Sequence, residues 1–268
     1  MYGLVANLTQ KWVCVVFRGT INGSDWKANT NFKLDYDTLF NRKDDSKPGT
    51  HSGFTEYLFN EREYDYMKRP LIDRIIASVG NEFEKNEDIT LEFKFYVNGH
   101  SLGGALANLF AFRVADLKSK NDKVMKYFPD KVTWITFAAP VIGNDDFNKE
   151  YQSLEKQGFL RHVRISNEGD AVPGNNNPKL GVPLTQIGIK GDTKEYTQNK
   201  VNLHLLHNGG MEIGYRNTHP WWKTLNIFTA LNNHGLTEYE RRIYLEENKE
   251  VFQQTAKELY RKAGNFTA

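Results

Sequence analysis

The chain has 268 residues, of which 39% are hydrophobic and 25% are charged, a composition that supports a packed core and excludes wholesale disorder. Lys and Arg number 35 and Asp and Glu number 33, so the formal net charge is +2. Without a basic excess or a basic stripe, the chain is not expected to bind nucleic acid. The length fits a single α/β domain over residues 1–268.

The sequence gives few signs of targeting or of covalent cross-linking. Its single cysteine, Cys14, has no partner for an intrachain disulfide and is predicted to be a small buried hydrophobe. No stretch approaches the ~20 apolar residues of a transmembrane segment. Residues 1–7 lack the basic and apolar regions of a signal peptide. These features favour a cytoplasmic location.

Predicted strands alternate with predicted helices along the chain, which is typical of a layered α/β fold. The strand patterns cover residues 12–17, where a continuous apolar run indicates burial on both faces, and residues 91–97, 132–137 and 162–165. The helical patterns cover residues 71–79, where Gly80-Asn81 is expected to end the helix, residues 105–114, and one or two helices between residues 239 and 260.

Two segments have little regular pattern. Residues 21–50 are polar with isolated apolar side chains, and residues 173–200 are rich in Pro, Gly and Asn. Long loops in compact domains are often lids or binding loops. For residues 173–200 we favour the simpler interpretation, an excursion over the surface.

The sharpest chemical signal is Gly99-His100-Ser101-Leu102-Gly103, which fits the pattern G-x-S-x-G. The pattern follows a predicted strand and precedes a predicted helix, as a nucleophile elbow does. Glycines two residues before and two after the serine prevent clashes in so tight a turn. The backbone N–H of Leu102, at the positive end of the following helix, is the expected oxyanion donor.

A serine nucleophile needs a histidine base and an acid that orients it, and in α/β-hydrolases both follow the serine in the chain. Asp170 is the best-placed acid, because it lies just beyond a predicted strand; a turn-forming role is an equally good interpretation of that position. Asp145 and Asp146 rank lower, since a longer stretch separates them from their strand. For the base, spacing alone leaves His234 and His207 in competition.

Five motifs in order resemble the class 3 lipases, the fungal-lipase-like branch of the α/β-hydrolases. They are Val16–Thr20, His51–Phe54, Gly99–Ala105, Thr136–Asn144 and Asn167–Pro173. The resemblance covers about residues 2–245. It implies an α/β-hydrolase fold with a mostly parallel central sheet and helices on both faces. Only 17 residues precede Arg18, so the N-terminal part is expected to be short or truncated, and a targeting segment could be missing with it.

The resemblance also implies residue roles. Ser101 matches the nucleophile and Asp170 the triad acid. His234 matches the base, because Asn233-His234 and the nearby Tyr239 resemble the family's segment of a histidine followed by a tyrosine. Thr20 matches the first oxyanion position, beside Leu102. A lid candidate lies within residues 21–40, where Trp26 and Phe32 are candidate substrate contacts.

The expected function is therefore a serine carboxylic-ester hydrolase that acts on lipid esters, triacylglycerols or other acylglycerols, through an acyl-enzyme. We expect no metal and no cofactor. We do expect transient contact with a lipid surface. Phospholipase A1 and an esterase for small esters are alternatives with the same chemistry. A catalytically silent lipid-binding relative is the alternative of a different class.

Overall fold

A computed structural model describes residues 2–19, 33–40, 48–61, 68–89, 91–170, 172–173, 199–216 and 232–246. The strands in these ranges are β1 Tyr2–Asn7, β2 Trp12–Phe17, β3 Leu34–Asp35, β4 Thr50–His51, β5 Lys94–His100, β6 Val132–Phe137, β7 Leu160–Asn167, β8 Asn199–Leu205 and β9 Met211–Arg216. The α-helices are α1 Ser52–Phe59, α2 Leu71–Lys85, α3 Leu102–Ser119, α4 Asp145–Lys156 and α5 Leu236–Glu246, and a 3₁₀ turn spans Lys123–Met125.

A seven-stranded sheet with the order β1-β2-β5-β6-β7-β8-β9 organises the fold. The five inner strands run parallel, and β1 and β9 pair antiparallel at the two edges. The register sets Phe17 beside Gly99 and Phe137 beside Ile165, so β2, β5, β6 and β7 end at the same edge. The prediction of a mostly parallel α/β-hydrolase sheet is confirmed.

Side chains alternate between two hydrophobic cores, one on each face of the sheet, because successive residues of a strand point to opposite faces. On β6, Val132 and Trp134 join the larger core with α2, α3 and α4, whereas Ile135 and Phe137 face the smaller core. Tyr239 of α5 packs into that smaller core. Helices therefore cover both faces, as predicted.

Three details of the predicted elements are wrong. The strand predicted over residues 91–97 begins only at Lys94. Val16 of β2 is 39% exposed, so the strand is not fully buried on both faces. Helix α2 continues through Gly80 to Lys85, because Phe83 extends the buried apolar face begun by Ile72 and Ile76. A side chain at position 80 would crowd the ring of Phe128, so this glycine serves close packing and does not end the helix.

The remaining helical patterns agree better with the structure. The predicted helix 105–114 lies inside α3, which is buried along most of its length against β5 and β6. Of the predicted C-terminal helices, α5 is described, and residues 247–268 lie outside the described ranges. No helix among the described residues has both the length and the apolar character needed to cross a bilayer.

Candidate active site

Ser101 occupies the turn between β5 and α3 in an uncommon backbone conformation. Its φ is 55° and its ψ is −127°. Such a positive φ in a residue other than glycine costs on the order of 1–3 kcal/mol and persists only where the surroundings impose it. Here the Ser101 N–H donates to the carbonyl of Phe137 at 3.0 Å, which ties the turn to β6. The turn lifts the serine side chain above the edge of the sheet.

Two glycines make this turn possible through close approach of backbone to backbone. A Cβ at Gly99 would overlap the carbonyl of Gly103, and a Cβ at Gly103 would overlap the carbonyl of Phe17. The glycines thus let the first turn of α3 lie directly against the ends of β5 and β2. This agrees with the reason given for them from the sequence.

Three predicted site residues meet above this edge. The Ser101 Oγ lies 2.8 Å from Nε2 of His234, and Nδ1 of His234 lies 3.1 Å from each carboxylate oxygen of Asp170. Asp170 is fully buried, whereas the side chain of His234 is 18% exposed. A hydroxyl, an imidazole and a buried carboxylate therefore form one hydrogen-bonded line that opens toward solvent at the histidine.

The carboxylate of Asp170 is held by further donors. The hydroxyl of Tyr239 donates to Oδ2 at 2.7 Å, and the backbone N–H of Val172 donates to Oδ1 at 2.9 Å. Burial, and after it the Asp170 charge, raises the pKa of Tyr239 well above its ordinary value, so the phenol keeps its proton. The Tyr239 oxygen in turn accepts from the N–H of Asn167 at 3.0 Å.

The segment that carries His234, in which residues 232–234 are helical, is tied to the sheet by two side chains not singled out from the sequence. Nε2 of His100 donates to the carbonyl of His234 at 2.8 Å, and Nδ2 of Asn167 donates to the carbonyl of Asn233 at 3.0 Å. Burial, and next the neighbouring His234, lowers the pKa of His100. A neutral ring with its proton on Nε2 fits that bond. These contacts join residues 134 and 66 positions apart, so local sequence carries no signal for them.

Leu102 is the first residue of α3, so its N–H has no acceptor in a preceding helical turn and lies at the positive end of the helix dipole. This position suits a donor to a developing oxyanion beside Ser101. Thr20, the other predicted donor, lies outside the described residues, as do Trp26 and Phe32. Of the lid candidate, residues 33–40 are described, and there Leu39 and Phe40 pack against the larger core.

The other candidates for the base and the acid, His207 and Asp145 or Asp146, contact other residues than the Ser101 cluster. The ring of His207 lies near Arg242 and Glu238, with Nδ1 3.3 Å from Nη2 of Arg242. Asp145 and Asp146 form the first turn of α4. Within the described part of the chain, no group of three or more His, Cys, Asp or Glu side chains is arranged to hold a metal ion.

A second serine–histidine contact lies inside the sheet. The hydroxyl of Ser166 is 3.0 Å from Nδ1 of His204, and Nδ2 of Asn202 donates to that hydroxyl at 2.9 Å. All three residues are buried on neighbouring strands β7 and β8. The hydrogen bonds of Asp170 run instead to His234, Tyr239 and Val172, which makes the Ser101 cluster the better candidate.

Comparison with known proteins is consistent with this geometry. The family model described as Lipase (class 3) matches residues 14–178. Phospholipase A1-IIgamma of Arabidopsis thaliana is 29% identical over 208 residues, which are 75% of this chain and 47% of that protein. Galactolipase DONGLE, chloroplastic, of the same plant is 29% identical over 171 residues, 63% of this chain and 34% of that protein. The chain thus spans about half or less of the length of these relatives.

Solved structures of fungal lipases share the fold. The triacylglyceride lipase of Rhizomucor miehei superposes with a TM-score of 0.55 at 17% identity, covering 87% of this chain and 73% of that one. The Lip2 lipase of Yarrowia lipolytica gives a TM-score of 0.55 at 18% identity, with the same two coverages. At such identities the likeness concerns the fold alone.

Proposed function

Because this chain belongs to the class 3 lipase family, we propose that it hydrolyses carboxylic esters of lipids, with Ser101 as the nucleophile. His234 is the general base and Asp170 orients it. The observation that carries the proposal is the contact of 2.8 Å between the Ser101 Oγ and Nε2 of His234, whose other ring nitrogen faces Asp170.

The reaction follows from these contacts. As the Ser101 oxygen attacks the ester carbonyl, its proton passes to Nε2 of His234, and the buried Asp170 carboxylate stabilises the resulting imidazolium. The N–H of Leu102 stabilises the negative oxygen of the tetrahedral intermediate, with Thr20 as the second donor. Loss of one such donor typically costs about 2.7–4 kcal/mol in the transition state.

Collapse of the intermediate then breaks the ester bond. The leaving alcohol takes the proton from His234, and the acyl group stays on Ser101. Water, deprotonated by the same histidine, attacks the acyl-enzyme and releases the fatty acid and the free serine. The cycle needs only side chains and backbone groups of this chain, together with water.

The substrate class is an ester of a glycerol lipid. The curated relatives are named phospholipase A1 and galactolipase, which favours a diacylglycerol that bears a polar head group as a second candidate beside a triacylglycerol. We place Trp26 and Phe32 at the lipid contact, as part of a lid within residues 21–40. The complete set of serine, histidine and acid disfavours a catalytically silent lipid-binding relative.

A substrate panel tests the proposal. The purified chain is offered trioleoylglycerol emulsion, phosphatidylcholine vesicles, galactolipid micelles and p-nitrophenyl butyrate, and Ser101→Ala serves as the control. We expect fatty-acid release that Ser101→Ala lacks, and a rate that jumps above the solubility limit of the substrate. Hydrolysis of p-nitrophenyl butyrate alone would make the chain a small-ester esterase, and equal rates in both proteins would refute the role of Ser101.

A further inference from the structure

Arg242 in α5 is 1% exposed, although arginine is rarely buried unless it is paired. Its guanidinium donates from all three nitrogens. Nε donates to Glu238 Oε1 at 2.7 Å, Nη1 donates to the carbonyls of Glu168 at 3.1 Å and Leu205 at 3.0 Å, and Nη2 donates to Asn233 Oδ1 at 2.7 Å. Few side chains other than arginine could satisfy so many acceptors at once.

These acceptors belong to segments that carry or flank the candidate triad. Glu168 lies in the turn between the end of β7 and Asp170, and Leu205 ends β8. Asn233 directly precedes His234. The planar guanidinium therefore lies between the turn that bears the acid and the helical segment 232–234 that bears the base, and it donates hydrogen bonds to both.

The charge of Arg242 is balanced beside it. The pKa of Glu238 is lowered to about 2, mainly by hydrogen bonds from Arg241 and, to a smaller extent, by those from Arg242. This carboxylate therefore stays ionised at neutral pH. Bonds from a charged donor are about twice as strong as neutral ones, which favours a fixed distance between the segments they join. Lysine could not replace the planar guanidinium of Arg242, because its ammonium is a point charge with three donors.

We propose that Arg242 is a positioning residue for the hydrolytic reaction: through its bond to Asn233 it fixes the His234 ring between Ser101 and Asp170. The inference rests on the proposed function. It differs from a purely structural role because a displaced ring would slow the chemical step while substrate binding stayed intact. A shift of about 1 Å in a catalytic group can lower a rate on the order of 100-fold.

Arg241 is a natural control. It is the adjacent arginine on the same helix and shares the carboxylate of Glu238, but its other hydrogen bond reaches the carbonyl of His207 at 3.2 Å. Its side chain is 45% exposed. Arg241→Ala therefore perturbs the same ion pair without touching Asn233.

The first experiment removes only the hydrogen bond from Arg242 to the segment that carries His234. Asn233→Ala deletes the acceptor of Arg242, while the Asn233 backbone carbonyl still accepts from Asn167. With p-nitrophenyl butyrate as the probe, we expect kcat to fall about 10- to 100-fold with KM within about twofold. Asn233→Asp, which keeps an acceptor oxygen, should recover most of kcat, and Arg241→Ala should keep wild-type kcat.

A double-mutant cycle completes the test. If Arg242 acts through Asn233, then Arg242→Lys combined with Asn233→Ala should lower kcat little more than the larger single change does. Multiplying effects, or an Asn233→Ala enzyme with wild-type kcat, would overturn the positioning role in a wild type that is active. A wild-type chain inactive on every ester would instead refute the proposed function, and this inference with it.

Discussion

Among the described residues, two histidine–carboxylate pairs include a buried carboxylate, His234 with Asp170 and His162 with Glu155, and only the first is suited to catalysis. In both, Nδ1 of the ring contacts a carboxylate oxygen. The side chains of His162 and Glu155 are 0% and 2% exposed, and the rings of Trp134 and Tyr151 pack around the histidine. His234 instead reaches solvent and presents Nε2 to a serine hydroxyl.

The difference shows that the contact with a carboxylate does not by itself define a base. A base also needs a second nitrogen aimed at the group it deprotonates, and space for substrate beside that group. His234 lies in a short helical segment, residues 232–234, just before α5, at the edge where β5 and β7 end. His162 lies within β7 and faces α4, where the same pairing stabilises the core.

The largest expected effect distinguishes His234 from His207. His234→Ala should lower kcat by about 10⁵- to 10⁶-fold, because the Ser101 proton loses its acceptor. His207→Ala should keep kcat within about twofold. Steady-state kinetics with p-nitrophenyl butyrate measures both, and the opposite pair of results would make His207 the base.

Asp170→Asn comes next in size. The amide holds the imidazole in the wrong tautomer, so kcat should fall about 10⁴-fold while the folded structure persists. The same assay with a thermal melt checks this prediction. A kcat within tenfold of wild type would exclude Asp170 as the orienting acid.

Breaking the second pair should affect stability and leave the chemistry intact. His162→Phe leaves the Glu155 carboxylate buried without its partner and should lower the free energy of unfolding by about 3–5 kcal/mol. Urea denaturation measures this, and kcat per folded molecule should stay at the wild-type value. His162→Phe combined with Glu155→Leu should regain much of the lost stability. A loss of kcat in either variant would connect the two pairs and contradict the contrast drawn between them.

Tyr239→Phe sharpens the description of the catalytic pair. It removes the hydroxyl that donates to Asp170 and leaves the N–H of Asn167 without that acceptor. We expect kcat to fall about tenfold with KM unchanged, since a hydrogen bond to a charged group is worth roughly 1.5–3 kcal/mol. An unchanged kcat would mean that His234 and Val172 suffice to hold the carboxylate.

The smallest effect concerns pH. Burial, and next His234, lowers the pKa of His100 below its ordinary value of 6.5. The unfolded chain therefore takes up a proton at a higher pH than the folded chain does, and the free energy of unfolding falls as pH drops through 6.5. His100→Gln should make this decline between pH 7 and pH 5 shallower. Identical slopes in urea denaturation would contradict it.

The sequence could predict the parts of this fold that local physics encodes. Gly99 and Gly103 around Ser101 require a tight strand-to-helix turn, and the alternation of strand and helix patterns predicts a layered α/β fold. The mostly parallel sheet followed only from the family resemblance. The end of α2 was mispredicted, because Gly80 looks like a helix terminator until the ring of Phe128 is placed against it.

Local sequence patterns could not decide whether His234 or His207 is the base. That choice depends on contacts that span 64 residues to Asp170 and 133 residues to Ser101, and only the family resemblance favoured His234 beforehand. Arg242 was not predicted for the same reason, since its backbone and amide acceptors come from the turn after β7, the end of β8 and the segment that carries His234. Thr20, Trp26 and Phe32 lie outside the described residues, and their roles stay predictions.

The most direct test of the central claim is the site of covalent labelling by a fluorophosphonate, mapped by mass spectrometry of peptides. We expect one adduct, on Ser101, in the wild type and in Arg241→Ala, and a loss of labelling in His234→Ala. Wild-type protein with Ser101 unlabelled, or with the adduct on Ser166 beside His204, would contradict it.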